Sequence, residues 1–330
     1  MIGNGNSLDG LERGSATASM LGELGRNMLA NCATVLLGKD PVLRLAIAGI
    51  LTGGHILFED PPGVGKTVLA KALATSIGGA MGRVQGNADL LPSDVTGFNV
   101  YHPSSDRWVF KPGPVFNNVV LFDELNRATP RAQAALLEAM AERQASVDGE
   151  TLPLPLPFFV LATQNPLSDL GTFPLVAAQR DRFTLQLSLG LPDFHTERQI
   201  MLGAGGNDAL ALLPAVASLD TLSAAPTVLK GVFVAKPIAD YILNLVRGTR
   251  QHPRIAVGCS PRAAQALIAV SRALAVFDGR EFVTPDDVQF AAGPVMAHRL
   301  ELHGFVAGHP SAGADAIREV LGHQPVPTGP

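Results

Sequence analysis

Three segments of the chain carry polar and charged side chains at spacings that chemistry can use. The first is Asp60-Pro-Pro-Gly63-Val64-Gly65-Lys66-Thr67, followed directly by Val68. Two glycines in such a loop let successive backbone N–H groups turn inward around phosphate oxygens. A helix starting behind them adds a favourable dipole. Lys66 supplies a point charge for β- and γ-phosphates, and the Thr67 hydroxyl is a ligand for magnesium. The chemistry this predicts is binding of ATP with Mg2+. One residue departs from the strict pattern: Asp60 stands where the first glycine is usual.

The second segment is Val119-Val-Leu-Phe-Asp123-Glu124. Asp123, at the end of an apolar strand, can hold the metal through its water shell. Glu124 beside it can polarise a water for in-line attack on a γ-phosphate. An acidic pair after an apolar strand is common, and it becomes specific only downstream of a phosphate loop. The second acid favours hydrolysis over transfer to a substrate hydroxyl. The third group is scattered. Asn165 closes a later strand, and its amide can orient the attacking water; a plain turn before Pro166 is the alternative. Arg182, in Gln179-Arg-Asp-Arg182-Phe183, could reach a phosphate, or could simply pair with Asp181, and Arg180 is its rival. Arg262 follows Ser260-Pro261 in the first turn of a helix. A cation there opposes the helix dipole unless an anion is bound nearby; a solvated arginine is the alternative.

These residues need elements to hold them. His55-Ile-Leu-Phe-Glu-Asp60 reads as a short strand entering the glycine loop, and Val68 to Ser76 as the helix leaving it, the order a phosphate loop requires. A second strand is expected at about Gly82 to Gln85, and a hairpin at 98–110 around Pro103-Ser-Ser-Asp106. Val119–Phe122 and Phe158–Ala162 are continuous apolar runs, as in strands buried on both faces. Thr129-Pro130 should cap a helix carrying Leu136, Leu137 and Met140, and Asp148-Gly149 should close a second hairpin. After Leu191-Pro192 only helical segments are expected, at 238–250, 261–277 and 285–298. Residues 1–20, rich in Gly, Asn and Ser, read as a flexible segment, with helix from Met20. The expected organisation is a flexible segment at 1–20, a nucleotide-binding α/β domain at 21–190 and a helical lid domain at 191–330.

Bulk properties narrow the classes. Of 330 residues, 47% are hydrophobic and 16% charged, with a formal net charge of -4. This balance gives no general attraction for nucleic acid or an anionic membrane. The two cysteines, Cys32 and Cys259, form no redox or zinc motif and suit a reducing, cytoplasmic setting. The eight histidines show no metal-ligand spacing. No run is long and apolar enough to span a bilayer, and the N-terminus does not resemble a signal peptide.

Taken together, the motifs resemble the MoxR family of AAA+ ATPases over nearly the whole chain. The resemblance is carried by Glu59-Asp-Pro-Pro-Gly-Val-Gly-Lys-Thr67, Leu91-Pro-Ser-Asp-Val-Thr-Gly97, Lys111-Pro-Gly-Pro-Val-Phe116, Phe122-Asp-Glu-Leu-Asn-Arg-Ala128, Ala134-Ala-Leu-Leu-Glu-Ala-Met140, Ala162-Thr-Gln-Asn-Pro166 and Cys259-Ser-Pro-Arg-Ala263. It implies an α/β P-loop core with a five-stranded parallel sheet, a helical lid, and nucleotide at their junction. The hairpin at 98–110 would be the helix-2 insert of the clade. Asn165 would be sensor 1, Arg182 the arginine finger and Arg262 sensor 2. Val35 to Gly38, with Leu37 and Gly38, would lie against adenine, and Gln85 would be a polar switch on Glu124. The resemblance further implies a homo-oligomer, usually a hexameric ring, and a chaperone-like role toward a protein with a von Willebrand factor A domain. Other readings are the ATPase subunit of a magnesium-chelatase-like complex, a small-molecule kinase, and an ATP-gated scaffold with little turnover. One departure bears on the subunit interface: the family's Pro-Glu-Ala-Gln is Val176-Ala177-Ala178-Gln179 here.

Overall fold

A computed structural model describes residues 8–165, 172–304 and 312–327. Helices α1 (Leu8–Ala33) and α2 (Asp40–Leu51) come first. Strand β1 (Ile56–Glu59) runs through the glycine loop into α3 (Lys66–Ser76), and β2 (Met81–Gln85) follows. The short α4 (Pro92–Thr96) leads to a hairpin of β3 (Gly97–His102) and β4 (Arg107–Pro112). Then come β5 (Val119–Asp123), α5 (Pro130–Glu142) and a second hairpin, β6 (Gln144–Val147) with β7 (Glu150–Pro153). Strand β8 (Phe159–Gln164), α6 (Ala177–Arg180) and β9 (Leu185–Leu187) complete the α/β part.

The remainder is helical, with α7 (Phe194–Met201), α8 (Gly206–Ala211), α9 (Leu219–Leu229), α10 (Lys236–Thr249), α11 (Pro261–Phe277), α12 (Pro285–Met296) and α13 (Ala312–His323).

The five strands form one parallel sheet in the order β2-β5-β8-β1-β9. The chain leaves β1 for the far edge and works back past it, so the order reverses beside β1. Ligands in such sheets sit outside the carboxyl ends of the strands, next to that reversal. Every residue of β5 is buried, and β8 is buried up to Gln164, which explains their unbroken apolar sequence. Phe58, Phe122 and Phe159 are fully enclosed. Thr129 caps α5, its Oγ1 accepting from the Ala132 N–H at 3.3 Å. Asp148 and Gly149 both take positive φ, 51° and 86°, the type I′ geometry that suits a two-residue hairpin.

Two expectations need correction. The helix expected from Met20 begins at Leu8. Gly and Ser in 8–19 are outweighed by Leu8, Leu11, Glu12, Arg13, Ala16 and Ala18, all good helix formers. The second half also holds a short antiparallel ladder, β10 (Ile255–Val257) with β11 (Glu301–Leu302). Segments of three and two residues are too short to show a strand period in sequence.

The helical part also shares the core of the α/β part. Helix α11 packs on α1 and α2, and one hydrophobic cluster runs from Leu43 and Ile47 through Phe58 and Leu73 to Leu267 and Val288. Among the described residues, no helix is long and apolar enough to cross a membrane.

Candidate nucleotide site

A cleft opens at the carboxyl edge of the sheet. Its walls are Pro62, Gly63, Gly65, Lys66, Thr67 and Val68 from the loop, Gln85 from β2, Asp123 and Glu124 from β5, and Thr163, Gln164 and Asn165 from β8. Parallel register sets these residues level: Gln85 lies opposite Asp123, and Glu59 opposite Gln164. Gly63 and Gly65 adopt φ of 89° and 102°, the left-handed region in which a side chain is strained. A Cβ at Gly63 would meet nothing within 4 Å, so the glycine is needed for its backbone rather than for room. Val64, between them, packs against the core instead of lining the cleft.

The loop is held from both ends. Lys66 Nζ donates to the Asp60 and Pro61 carbonyls at 2.8 and 2.9 Å. Burial lowers the Lys66 pKa, against the pull of Asp60, Asp123 and Glu124, which raise it. Asp60, the departure from the glycine pattern, is 1% exposed. Its carboxylate accepts from Ser188 Oγ at 2.6 Å, Leu189 N at 2.8 Å and Gly190 N at 3.0 Å. Asp60 thus pins the start of the loop to the segment that links β9 to the helical part. Next to it, the Glu59 carboxylate accepts from Gln186 Nε2, and burial raises its pKa.

Glu124 takes φ 56°, ψ 50°. A non-glycine residue in that region stores strain, and such strain gathers at functional sites. Its N–H donates to Thr163 Oγ1 at 2.9 Å, and Thr163 Oγ1 reaches Asp123 Oδ1 at 3.5 Å. Gly86 makes room for this turn, since a Cβ there would lie 2.1 Å from the Glu124 carbonyl oxygen. Both acids are restrained by neighbours. Gln85 Nε2 donates to Glu124 Oε2 at 3.0 Å, and Arg127 approaches the same oxygen at 3.3 Å. Arg83 donates to Asp123 Oδ2 through Nε at 3.0 Å, with Nη2 in ion-pair contact with the same oxygen at 2.9 Å.

Thr163, Arg83 and Arg127 were not singled out from sequence. Thr163 stands in Ala162-Thr-Gln-Asn-Pro166, two residues before Asn165, and that place was the available signal. Arg83 alternates with Gln85 on β2, so the strand period alone puts the two on one face.

The donor set fits Mg2+. The Thr67 hydroxyl and the Asp123 carboxylate are oxygen ligands in one cleft, and Mg2+ is usually held by one or two protein groups plus phosphates and waters.

The remaining predicted residues lie elsewhere. Leu37 and Gly38 do not line the cleft. The loop's neighbour from that segment is Leu36, whose Cδ2 is 3.7 Å from the Cβ position of Gly65. Gly38 faces Thr196, and the Val35 carbonyl accepts from Gly206 N at 3.0 Å, so this segment ties the loop to the helical part. Arg182 and Arg262 are also absent from the cleft. Arg182 is exposed, with Nη1 donating to the Leu137 carbonyl at 2.6 Å.

Arg262 lies in the first turn of α11, outside the lining of the cleft. It pairs with Asp181 at 3.6 Å, beside Arg182. The buried Arg299 fixes this arrangement, donating to Asp181 Oδ1 at 2.7 Å and to the Phe183 carbonyl at 2.7 Å. Packing of the helical part, which no local motif encodes, therefore carries Arg262 to the segment that precedes Arg182. Both cysteines are free and buried, as read from sequence.

Residues 55–185 match the ATPase family associated with various cellular activities (AAA), and residues 247–320 match the AAA lid domain. The chain is 41% identical over 294 residues to the uncharacterised protein YeaC of Bacillus subtilis, covering 89% of this chain and 92% of that one. It is 37% identical to the chaperone MoxR1 of Mycobacterium tuberculosis, over 81% of this chain and 73% of the relative. It is 33% identical to the MoxR protein of Paracoccus denitrificans, over 81% and 86%. A solved structure of a candidate ATPase from Cytophaga hutchinsonii superposes with a TM-score of 0.86 at 30% identity, covering 98% of this chain and all of that one. The motifs, the sheet order and these relatives agree: the chain belongs to the MoxR family of AAA+ ATPases.

Proposed function

We propose that the protein hydrolyses ATP to ADP and phosphate in a magnesium-dependent reaction, and uses the cycle to remodel a protein partner. The observation that carries the hydrolysis reading is the convergence of Lys66, Thr67, Asp123, Glu124 and Asn165 on one cleft. Lys66 would leave the Asp60 and Pro61 carbonyls to meet the β- and γ-phosphates, while the loop N–H groups hold the phosphate chain. Thr67 and Asp123 would hold the metal, which when bound neutralises charge on the phosphate oxygens. Glu124 would take a proton from the attacking water, and Asn165 would orient that water. Gln85 would hold Glu124 away from the water until the site is complete.

Arg182 and Arg262 both lie outside the cleft of their own chain, Arg262 being paired with Asp181, the residue before Arg182. That arrangement supports a ring in which they reach a neighbouring subunit's γ-phosphate. A hexamer is the reading we adopt, with the α/β domain at 21–190 and the helical lid domain at 191–330 of each subunit meeting near the Asp60-bound segment. The chaperone names of the relatives support a remodelling role, and a von Willebrand factor A domain is the client class we propose. Two buried free cysteines support a reducing, cytoplasmic setting. A nucleotide-gated scaffold with little turnover is the second reading, favoured by the arginines already engaged by Asp123 and Glu124.

Phosphate release by the purified protein tests the first reading. It should require Mg2+ and ATP and vanish in Lys66→Ala, which should also lose ATP binding in calorimetry. Tight ATP binding with no phosphate release by the parent protein would favour the scaffold.

A further inference from the structure

Arg83 stands on β2, two residues before Gln85, and faces the end of β5. Its guanidinium donates through Nε to one oxygen of Asp123 at 3.0 Å, and Nη2 stands in ion-pair contact with the same oxygen at 2.9 Å. Nη2 also donates to Gln85 Oε1 at 3.3 Å. The Gln85 amide is thereby oriented: its oxygen faces Arg83, so its NH2 must face Glu124, to which it donates at 3.0 Å. A continuous relay results, from the metal-holding acid through Arg83 and Gln85 to the catalytic base.

The chemistry of this relay is competitive. A carboxylate oxygen already bonded by one N–H of a cation and in ion-pair contact with a second nitrogen of it is a poor ligand for a second cation. The Arg83 side chain is 54% exposed, against 11% for Asp123, so the guanidinium can swing to solvent at little cost while Asp123 stays in place. Thr163 steadies the other Asp123 oxygen at 3.5 Å, leaving Oδ2 as the oxygen whose partner changes.

We propose that Arg83 is a positioning residue that links metal binding to release of the base: it guards Asp123 Oδ2 and fixes Gln85 on Glu124 until the metal displaces it. The inference rests on the reading of Asp123 as metal holder and Glu124 as base. With Arg83 displaced, the Gln85 amide loses the donor that orients it and its grip on Glu124 weakens. Glu124 is then freed only when a metal-bearing nucleotide is seated.

The relay predicts a linkage that can be read without turnover. Metal and ADP bind cooperatively, and the ratio of ADP dissociation constants without and with Mg2+ measures that coupling. In the parent protein part of the coupling is lost to breaking the Arg83–Asp123 pair. A partly exposed ion pair of this kind is worth about a two- to fivefold factor.

Calorimetric ADP titrations in EDTA and in Mg2+ should therefore show the ratio rising about two- to fivefold in Arg83→Gln. Arg83→Lys, which keeps the charge, should stay near the parent. The half-saturating Mg2+ concentration for phosphate release should fall in Arg83→Gln as well. An unchanged or smaller ratio in Arg83→Gln overturns the proposal, since Arg83 would then be shaping Asp123 for the metal rather than guarding it. Asp123→Asn separates the two levels of inference. Its ratio should collapse toward one. If it does and Arg83→Gln does not raise the ratio, the relay alone falls; if Asp123→Asn leaves the ratio intact, the metal role of Asp123 falls and the relay with it.

Discussion

Gln85 Nε2 donates to Glu124 Oε2 at 3.0 Å, bridging the last residue of β2 and the residue that follows β5. The bond makes Glu124 a weaker acceptor toward water and keeps its carboxylate on the β2 side of the cleft. Gln85→Ala removes the restraint while leaving the phosphate loop intact. Steady-state phosphate release without a client should rise severalfold, with ATP affinity by calorimetry unchanged. Lower turnover would mean that Gln85 aims Glu124 at the water instead of holding it back.

Asp60 gives a stability prediction. Its buried carboxylate satisfies two backbone N–H groups and the Ser188 hydroxyl. Asp60→Ala leaves them without a partner in the link between β9 and the helical part. Each buried donor left unpaired costs about 1–3 kcal/mol. Urea unfolding should show a loss of that order or more, and a stability equal to the parent would show that the link is not held by Asp60.

Acid should destabilise the fold through two buried histidines. Burial pushes the His55 pKa down to about 4 and that of His298 to about 3. His55 Nδ1 accepts from the Val160 N–H at 3.0 Å, and Nε2 faces the Met140 carbonyl at 3.1 Å, so the native ring is neutral with its proton on Nε2. In the unfolded chain a histidine protonates near 6.5. Below that pH the unfolded state gains protons that the native state refuses, and stability falls as pH drops from 6.5 toward 4. Above 6.5 this contribution is flat. The loss should approach about 1.4 kcal/mol per pH unit for each buried histidine. Urea midpoints at pH 7, 6 and 5 measure it, and His55→Asn should show a shallower slope. A parent profile flat over that range would contradict the neutral buried rings.

Catalysis shared between subunits predicts complementation. Arg182→Ala should lower turnover with ATP binding nearly intact, by less than the roughly 1,000- to 100,000-fold of the best arginine fingers, since Ala177 stands where the family pattern has an acid. Mixed with Lys66→Ala subunits, some interfaces would join an intact loop to an intact finger and regain activity. Co-assembled mixtures as inactive as either variant alone would count against a shared site.

The cleft was legible in sequence because its parts are contiguous: Gly63 to Thr67 in one loop, Asp123-Glu124 at one strand end, Asn165 at another. Each sits where a buried apolar strand stops, so hydropathy alone sets the residues at one sheet edge. The Gln85–Glu124 contact was anticipated from the family pattern. Arg83 on Asp123 was not, because it depends on the register of β2 against β5, some forty residues apart. The pairing of Arg262 with Asp181 was unreadable for a related reason. Its helix was expected, but its position beside Asp181 is set by Arg299 and the packing of α11 on α1 and α2. The start of α1 at Leu8 was hidden by composition, since the Gly and Ser of 8–19 mask the good helix formers among them.

The central claim is that Glu124 is the base of an ATP-hydrolysing site whose binding machinery is separate from it. Glu124→Gln keeps shape and most hydrogen bonds but cannot accept the proton. Calorimetry should find ATP affinity close to that of the parent, and single-turnover phosphate release should fall about 100- to 10,000-fold. A Glu124→Gln protein that releases phosphate at the parental rate would contradict the account.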